Sequence, residues 1–497
     1  MSARDILVVG AGLMGMGIAQ VAAQSGHRVF LFDQREGAAF NAVRQIEDVL
    51  WKLVTKSRIE ESDARKTIDR LIPVPCLADA RSARVAIEAI VEKLEPKRAL
   101  LRELESLLGP TAILATNTSS ISVTALAAGL EHPERVVGMH FFNPVPLMAL
   151  VEVVSGLRTA ADAAAEIERL ARAWGKVPVH ARSTPGFIVN RIARPFYAES
   201  LMLLQEQAAK PQEIDALLRG AGFRMGPCEL MDLIGHDTNF AVTQSVFEAN
   251  FFDRRFTPSL VQRELVEGGL LGRKSGEGFY SYPDRPPVPR PRAHDAPDVS
   301  IPVSVHGEGR IADGLHAAVS EALRRDVPRV RSDEWTGLMM VEQQLRLTNG
   351  RPAWQIARES GYENIAVFDE FPTVSGAPIA YAAVGSEAWR ESAAAWLQLL
   401  GFQPVEVADT PALIVARTQA MLVNEAADAV LQGVCTPHGA DVAMKLGVNY
   451  PQGPFEWMEK MGAARVVGLI EALDESYRGE RYRVSRLLRH LSASAPV

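Results

Sequence analysis

Short apolar runs and amphipathic stretches alternate along the first part of the chain. "ILVVG" (6–10), "RVFLFD" (28–33), "VAIEAIVE" (85–92), "AILATN" (112–117) and "RVVGMHFF" (135–142) read as strands. Between them, segments near 15–25, 38–69, 96–108 and 122–129 have helical spacing. Strands alternating with helices predict βαβ units and a parallel sheet. From Thr184 onward the texture turns helical, as in "ARPFYAESLMLLQEQAA". The stretch "SYPDRPPVPRPRAHDAP" (281–297) holds six prolines and little that could be buried, so it predicts an exposed, extended linker.

Beyond that linker the pattern repeats. "TPGFIVNRIARPFYAESL" from Thr184 matches "TPALIVARTQAMLVNEAA" from Thr410 and keeps Arg191 with Arg417, Glu199 with Glu425, Pro211 with Pro437 and Asp215 with Asp441. "MGPCELMDLIG" (225–235) matches "QGPFEWMEKMG" (452–462) after a one-residue insertion, and "GKVPV" (175–179) matches "GFQPV" (401–405). So many aligned positions imply a duplicated helical module. "VSVHGEG" (303–309) resembles "ILVVGAG" (6–12), which makes 301–400 a shrunken copy of the first α/β segment. The expected division is 1–182 (α/β), 183–282 (helical), 283–300 (linker), 301–408 (degenerate α/β) and 409–497 (second helical copy).

Composition narrows the class. The chain has 497 residues, 47% hydrophobic and 23% charged, as in soluble globular proteins of more than one domain. No apolar run approaches the ~20 residues of a membrane span. The strand-like run begins almost at once, which leaves no room for a targeting peptide or for a fused hydratase domain. Three scattered cysteines, Cys76, Cys228 and Cys435, argue against disulfides and zinc knuckles and fit a reducing cytoplasm. A net charge of −7 without a basic run argues against nucleic acid as the main partner.

The first strand runs into Gly10, Gly12 and Gly15 in G-x-G-x-x-G register, with Leu13 and Met14 between them. A helix-like segment follows, then a second strand ending in Asp33. The first glycine permits a tight turn, the second lets backbone approach a pyrophosphate, and the third lets helix and strand pack closely. The phosphates meet free N–H groups at the positive end of the helix. Asp33 is placed to accept hydrogen bonds from both ribose hydroxyls, which favours NAD, while Arg35 keeps NADP open as a minor option. The partial copy at Gly307, Gly309 and Ala312 lacks a clear acid-ended second strand and reads as vestigial.

Set beside that fingerprint, "AIEAIVEKLEPK" (86–97), "NTSSISVT" (117–124), "HFFNPVPLMALVEVV" (140–154), "TPGFIVNR" (184–191), "MGPCELMDLIG" (225–235) and "GRKSGEGFY" (272–280) resemble the 3-hydroxyacyl-CoA dehydrogenase family over residues 1 to about 282. The resemblance implies a Rossmann-like NAD-binding domain followed by an all-helical domain, here with a degenerate second copy of both. It implies that His140 is the general base and Glu152 the carboxylate that orients it. Ser119 and Asn190 match positions that hydrogen-bond the reacting substrate, and Asn143 one that helps order the histidine site. Glu92, Lys97 and Asn117 match cofactor-side positions; Lys52 and Lys56 are candidates for CoA phosphates. No metal is implied. The twelve residues between His140 and Glu152 suit two strands, or a strand and a returning loop, lying side by side.

The duplication acts as a control. Asn190 aligns with Ala416, and residues 363–385 contain no histidine in place of His140, so one active site per chain is expected. By the same resemblance the second copy stands in for a partner subunit, giving a pseudo-dimer within one chain, with further self-association open. The double-copy architecture resembles most the family's 3-hydroxyadipyl-CoA dehydrogenases of phenylacetate degradation. Arg194 and Arg224 are then candidate partners for the distal carboxylate. A 3-hydroxybutyryl-CoA or longer fatty 3-hydroxyacyl-CoA substrate is the alternative. A β-hydroxyacid dehydrogenase, which uses a lysine in its helical domain, and a non-catalytic NAD-binding protein are the competing classes.

Overall fold

The computed structural model describes residues 5–284, 292–373 and 376–494, so residues 285–291 of the expected linker lie outside the described residues. The chain forms two compact units, Met1–Arg191 with Gln432–Val448, and Ile192–Leu431 with Asn449–Val497. These units cut across the duplication, because a segment of the second helical copy belongs to the first unit.

In the first unit eight strands form one sheet: β1 (Asp5–Val9), β2 (Arg28–Phe32), β3 (Leu71–Pro73), β4 (Val85–Glu88), β5 (Ile113–Thr116), β6 (Val136–Phe141), β7 (Leu150–Ser155) and β8 (Val177–Arg182). Their order is β3-β2-β1-β4-β5-β6-β7-β8. The first six run parallel; β7 turns back against β6, and β8 runs with β7. The core packs Ile6, Val8, Leu31, Ile87 and Met139 of the sheet against Ile18 and Val21 of the helix Leu13–Gln24. Strand order reverses between β2-β1 and β1-β4, which opens the crevice where α/β sheets of this kind bind ligands.

Several sequence expectations shift in detail. The stretch 38–69 is two helices, Ala38–Thr55 and Glu61–Ile68, parted by Ser57 in a left-handed conformation. The strand expected to reach Glu92 ends at Glu88, whose carboxylate accepts the Ile90 N–H at 2.7 Å and turns the chain. The helix near 122–129 is one turn, Val123–Leu126, capped by Ser122. Strands β3 and β8 carry too short or too polar a pattern to stand out.

The second unit holds a seven-stranded sheet of β9 (Val303–His306), β10 (Arg329–Val330), β11 (Gly337–Met340), β12 (Gln343–Leu347), β13 (Asn364–Phe368), β14 (Pro378–Val384) and β15 (Gln403–Glu406), ordered β10-β9-β11-β12-β13-β14-β15. Strand β11 runs antiparallel to both β9 and β12, so the parallel neighbour that β1 finds in β4 has no counterpart here. The turn after β9 is covered as well: a Cβ on Gly307 would lie 2.6 Å from Thr336 Oγ1. The crevice between parallel strands beside β1 is thus not reproduced beside β9.

The helices conserve their order in the two copies. In the second unit the buried Arg417 of the second copy donates to Glu199 of the first at 2.8 Å, with Tyr482 joining both. The helix Pro211–Gly220 of the first copy packs on β14 of the second sheet. Its counterpart Pro437–Val448 packs on β7 and β8 of the first.

Candidate active site

The cofactor end is built by the turn after β1. Gly10 has φ +107° and a Cβ there would strike Ala89 O at 2.4 Å; a Cβ on Gly15 would strike Gly10 O at 1.7 Å. Both are therefore steric necessities of the fold. Gly12, the residue before the helix Leu13–Gln24, has nothing within 4 Å of its missing Cβ. Its cradle is open, as backbone approach to a pyrophosphate requires. Leu13 is exposed and Met14 leans on the core. Asp33 follows β2 and accepts the Ala11 N–H at 2.8 Å, which ties the two loops together. Its carboxyl is held at about 2, chiefly by hydrogen bonding to Arg35, which outweighs burial. The Arg35 guanidinium engages both Asp33 oxygens, at 3.0 and 3.1 Å, so this cation is already matched by a carboxylate. These residues fit NAD.

After β4 and β5 lies a compact charge cluster. Lys97, 1% exposed, sits 2.6 Å from Glu88 and 3.1 Å from Glu92. Glu92 Oε1 accepts from Thr118 Oγ1 at 2.6 Å, from the Ser119 N–H at 2.8 Å and from the Ser120 N–H at 3.1 Å. Burial works against this carboxylate, but Lys97 and the Thr118 and Ser119 donors more than offset it and set its pKa below the ordinary value. Glu92 and Lys97 thus fix the loop that presents Ser119. Glu88 and Thr118 were not singled out from the sequence. Glu88, the lone charge inside "VAIEAIV", was the available signal, because a buried charge demands a partner.

His140 and Glu152 stand directly opposite one another across the antiparallel β6–β7 pair. Nδ1 of His140 lies 2.6 Å from Glu152 Oε2; the histidine is 6% exposed and the glutamate 0%. Phe142 and Phe187 flank the imidazole, with centroids at 4.5 and 5.9 Å. The other carboxylate oxygen, Oε1, accepts the Ile188 and Val189 N–H groups, both at 3.0 Å. This holds the turn from which the short helix Val189–Ile192, carrying half-buried Asn190, begins. Asn117 accepts the Phe141 N–H at 2.8 Å and so ties the loop after β5 to the histidine strand. Asn143 is exposed two residues beyond β6.

The remaining candidates make no hydrogen bond or ion pair to this group among the described contacts. Lys52 and Lys56 are exposed at the end of the helix Ala38–Thr55. In the second unit Arg224 is exposed, whereas Arg194 is 5% exposed. Arg194 donates to Thr243 Oγ1 at 3.0 Å, stacks on Tyr197 at 4.8 Å and lines a cavity of about 210 Å³ with Leu201 and Leu260. Burial lowers the pKa of its guanidinium. Among the described residues no three His, Cys, Asp or Glu side chains are grouped to hold a metal.

A dinucleotide-type turn and a buried His–Glu pair on neighbouring strands of the same sheet fit an NAD-dependent dehydrogenase. Residues 5–184 match the NAD-binding domain of 3-hydroxyacyl-CoA dehydrogenase, and residues 186–282 and 413–495 both match its C-terminal domain. Residues 345–411 match a 3-hydroxybutyryl-CoA dehydrogenase reduced Rossmann-fold domain. The chain is 43% identical to the 3-hydroxyadipyl-CoA dehydrogenase of Escherichia coli, covering 98% of this chain and 97% of that one. A solved structure described as 3-hydroxybutyryl-CoA dehydrogenase from Escherichia coli K12 superposes with a TM-score of 0.90 at 41% identity, covering 99% of both chains. The (S)-3-hydroxybutyryl-CoA dehydrogenase of Ralstonia eutropha, 39% identical with a TM-score of 0.55, corresponds to 57% of this chain and is covered completely. The chain belongs to the 3-hydroxyacyl-CoA dehydrogenase family.

Proposed function

We propose that this enzyme oxidises (3S)-3-hydroxyadipyl-CoA to the 3-oxo thioester, with His140 as the general base. The observation that carries the mechanism is the 2.6 Å contact between His140 Nδ1 and Glu152 Oε2, which leaves Nε2 to take the substrate hydroxyl proton. Glu152 fixes the ring and balances the imidazolium that forms. Bound NAD supplies the acceptor for the hydride leaving C3. Ser119, presented by the Glu92-anchored loop, and Asn190, beside the Glu152-anchored turn, hold the reacting oxygen. Glu92, Lys97, Asn117 and Asn143 order the cofactor side and the histidine strand; Lys52 and Lys56 meet CoA phosphates.

The substrate assignment rests on likeness to the Escherichia coli 3-hydroxyadipyl-CoA dehydrogenase over nearly the whole of both chains. Arg194, buried against an apolar cavity wall, is the better candidate for the distal carboxylate, since an exposed arginine such as Arg224 contributes little. A 3-hydroxybutyryl-CoA substrate is favoured instead by the description of the superposed Escherichia coli structure. Following NADH absorbance across 3-hydroxyadipyl, 3-hydroxybutyryl and longer hydroxyacyl thioesters decides between them. Equal or better turnover of the uncharged chains removes the dicarboxylate reading. The second copy acts in place of a partner subunit, as the buried Arg417–Glu199 pair between copies supports. The cytoplasm is the compartment in which Cys76, Cys228 and Cys435 persist as free thiols.

A further inference from the structure

The segment Gln432–Val448 comes from the duplicated copy that carries no histidine site of its own, yet it belongs to the compact unit that holds His140 and Glu152. Its helix Pro437–Val448 lies against β7 and β8. Leu150 and Glu152 project from the same face of β7, and Val179 is the cross-strand neighbour of Glu152 on β8. Two glycines of the helix meet that face. A Cβ on Gly447 would lie 2.8 Å from Leu150 Cδ2 and 2.9 Å from Val189 Cγ2; one on Gly439 would lie 3.1 Å from Val179 Cγ1. The approach is therefore as close as backbone permits on both sides of the buried carboxylate.

The segment also grips the turn beyond Glu152. Arg191, next to Asn190, donates to Gln432 Oε1 at 2.8 Å, and the Arg182 N–H donates to Val434 O at 2.9 Å. Burial, and after it the negative charge of Glu152, push the Cys435 thiol up to about 12, which marks how near the segment comes to that carboxylate. In the first copy the positions matching Gly439 and Gly447 are Glu213 and Ala221. The close approach is thus a property of the copy that packs on the histidine-bearing sheet.

We propose that Gly439, Gly447 and Gln432 are positioning residues of the active site: the second copy closes the sheet face behind Glu152 and fixes the turn that carries Asn190. Glu152 is then kept dry and in register with His140 by a segment about 290 residues away in sequence. The inference rests on the reading of His140 and Glu152 as the proton-handling pair, which loss of activity in His140→Ala tests separately.

The test compares variants of the full-length enzyme, assayed well below each melting temperature. Gly447→Ala is expected to lower kcat about tenfold, with the KM values for thioester and NAD within about twofold, because the pair is displaced while the binding surfaces are not. Gln432→Leu should lower kcat in the same way but less. The control is Gly220→Ala on the matching helix of the first copy, where a Cβ meets Pro378 O at 3.2 Å in the second unit; it should cost stability and leave kcat unchanged. Should Gly447→Ala fail to fold, Gly439→Ala and Gln432→Leu carry the same comparison. Unchanged kcat in the Gln432 and glycine variants, or an equal loss in Gly220→Ala, overturns the proposal.

Discussion

In the first unit the turn at Ile188 and Val189 is held by Glu152, which reaches it from β7. In the second unit the matching turn is held by Asp369, which follows β13 and accepts the N–H groups of Ile414, Val415 and Ala416 at 2.9, 2.7 and 2.9 Å. Both copies thus keep a buried carboxylate at the start of the helical module, on neighbouring strands. What differs is the second oxygen. Glu152 turns it to the His140 imidazole, while Asp369 turns it to another backbone N–H. A carboxylate here is a requirement of the fold, and the histidine is what one copy adds to it. The absence of a histidine from the second copy, read from the sequence, is accompanied by an anchoring carboxylate that stands one strand over.

The largest break in the comparison comes from His140→Ala. Removing the proton acceptor should lower kcat about 10³-fold, within the range for general base catalysis, while NAD affinity and melting temperature stay near the parent values. Activity close to that of the parent would mean that the two copies differ in nothing chemical. Next is Glu152→Gln, whose amide oxygen can still accept the Ile188 and Val189 N–H groups but whose NH₂ cannot balance an imidazolium. A fall in kcat of about 10²-fold with only a small loss of stability is expected, read by steady-state kinetics beside thermal melting. A variant that melts early yet turns over normally would make Glu152 purely an anchor, like Asp369.

Much of this was legible in the sequence because the deciding residues were local. The fingerprint glycines, Asp33 at a strand end and the strand–helix alternation each follow from short-range sterics, and His140 and Glu152 announced themselves as polar residues in apolar runs. Long-range partners were not legible. Asp369 lies 45 residues before the turn it holds, and no spacing rule joins them. Glu88 and Lys97 were separable only once β4 was seen to end at Glu88. The packing of Pro437–Val448 on β7 depends on glycines whose meaning appears only when the facing side chains are known. The antiparallel β11, which stands beside β9 where β4 stands beside β1, inverts a polarity that apolar patterning alone does not encode.

The two dinucleotide turns sharpen the same contrast with a smaller effect. Gly12→Ala adds a methyl group where nothing lies within 4 Å, so folding should be unaffected. The methyl stands where a pyrophosphate must approach, and NAD affinity should fall about tenfold, equivalent to about 1.4 kcal/mol, as measured by titration calorimetry. Gly307→Ala in the second copy, with φ +119° and Thr336 against it, should instead cost stability and leave NAD affinity unchanged. NAD affinity reduced by Gly307→Ala would show that the second turn takes part in binding after all.

Asp369→Asn should have the smallest effect on catalysis, leaving kcat within twofold, and its information lies in stability against pH. Burial raises the Asp369 pKa from the ordinary 3.8 to about 6, even though its backbone donors pull the other way. The folded protein therefore binds this proton more tightly than the unfolded chain does. The stabilisation from that proton is complete below about pH 4 and disappears as pH rises through about 6, a change of at most about 3 kcal/mol. Asp33, held at about 2, has the opposite sign: its contribution is present above about pH 4 and is lost as pH falls toward 2. Subtracting the unfolding free energy of Asp369→Asn from that of the parent at each pH isolates the first effect, since Asp33 and the other carboxylates cancel. The difference should shrink from pH 4 to pH 7. A flat difference would mean that the backbone N–H groups hold Asp369 as an ordinary carboxylate, so that the histidine alone, and not the burial of an anchoring charge, distinguishes the two turns.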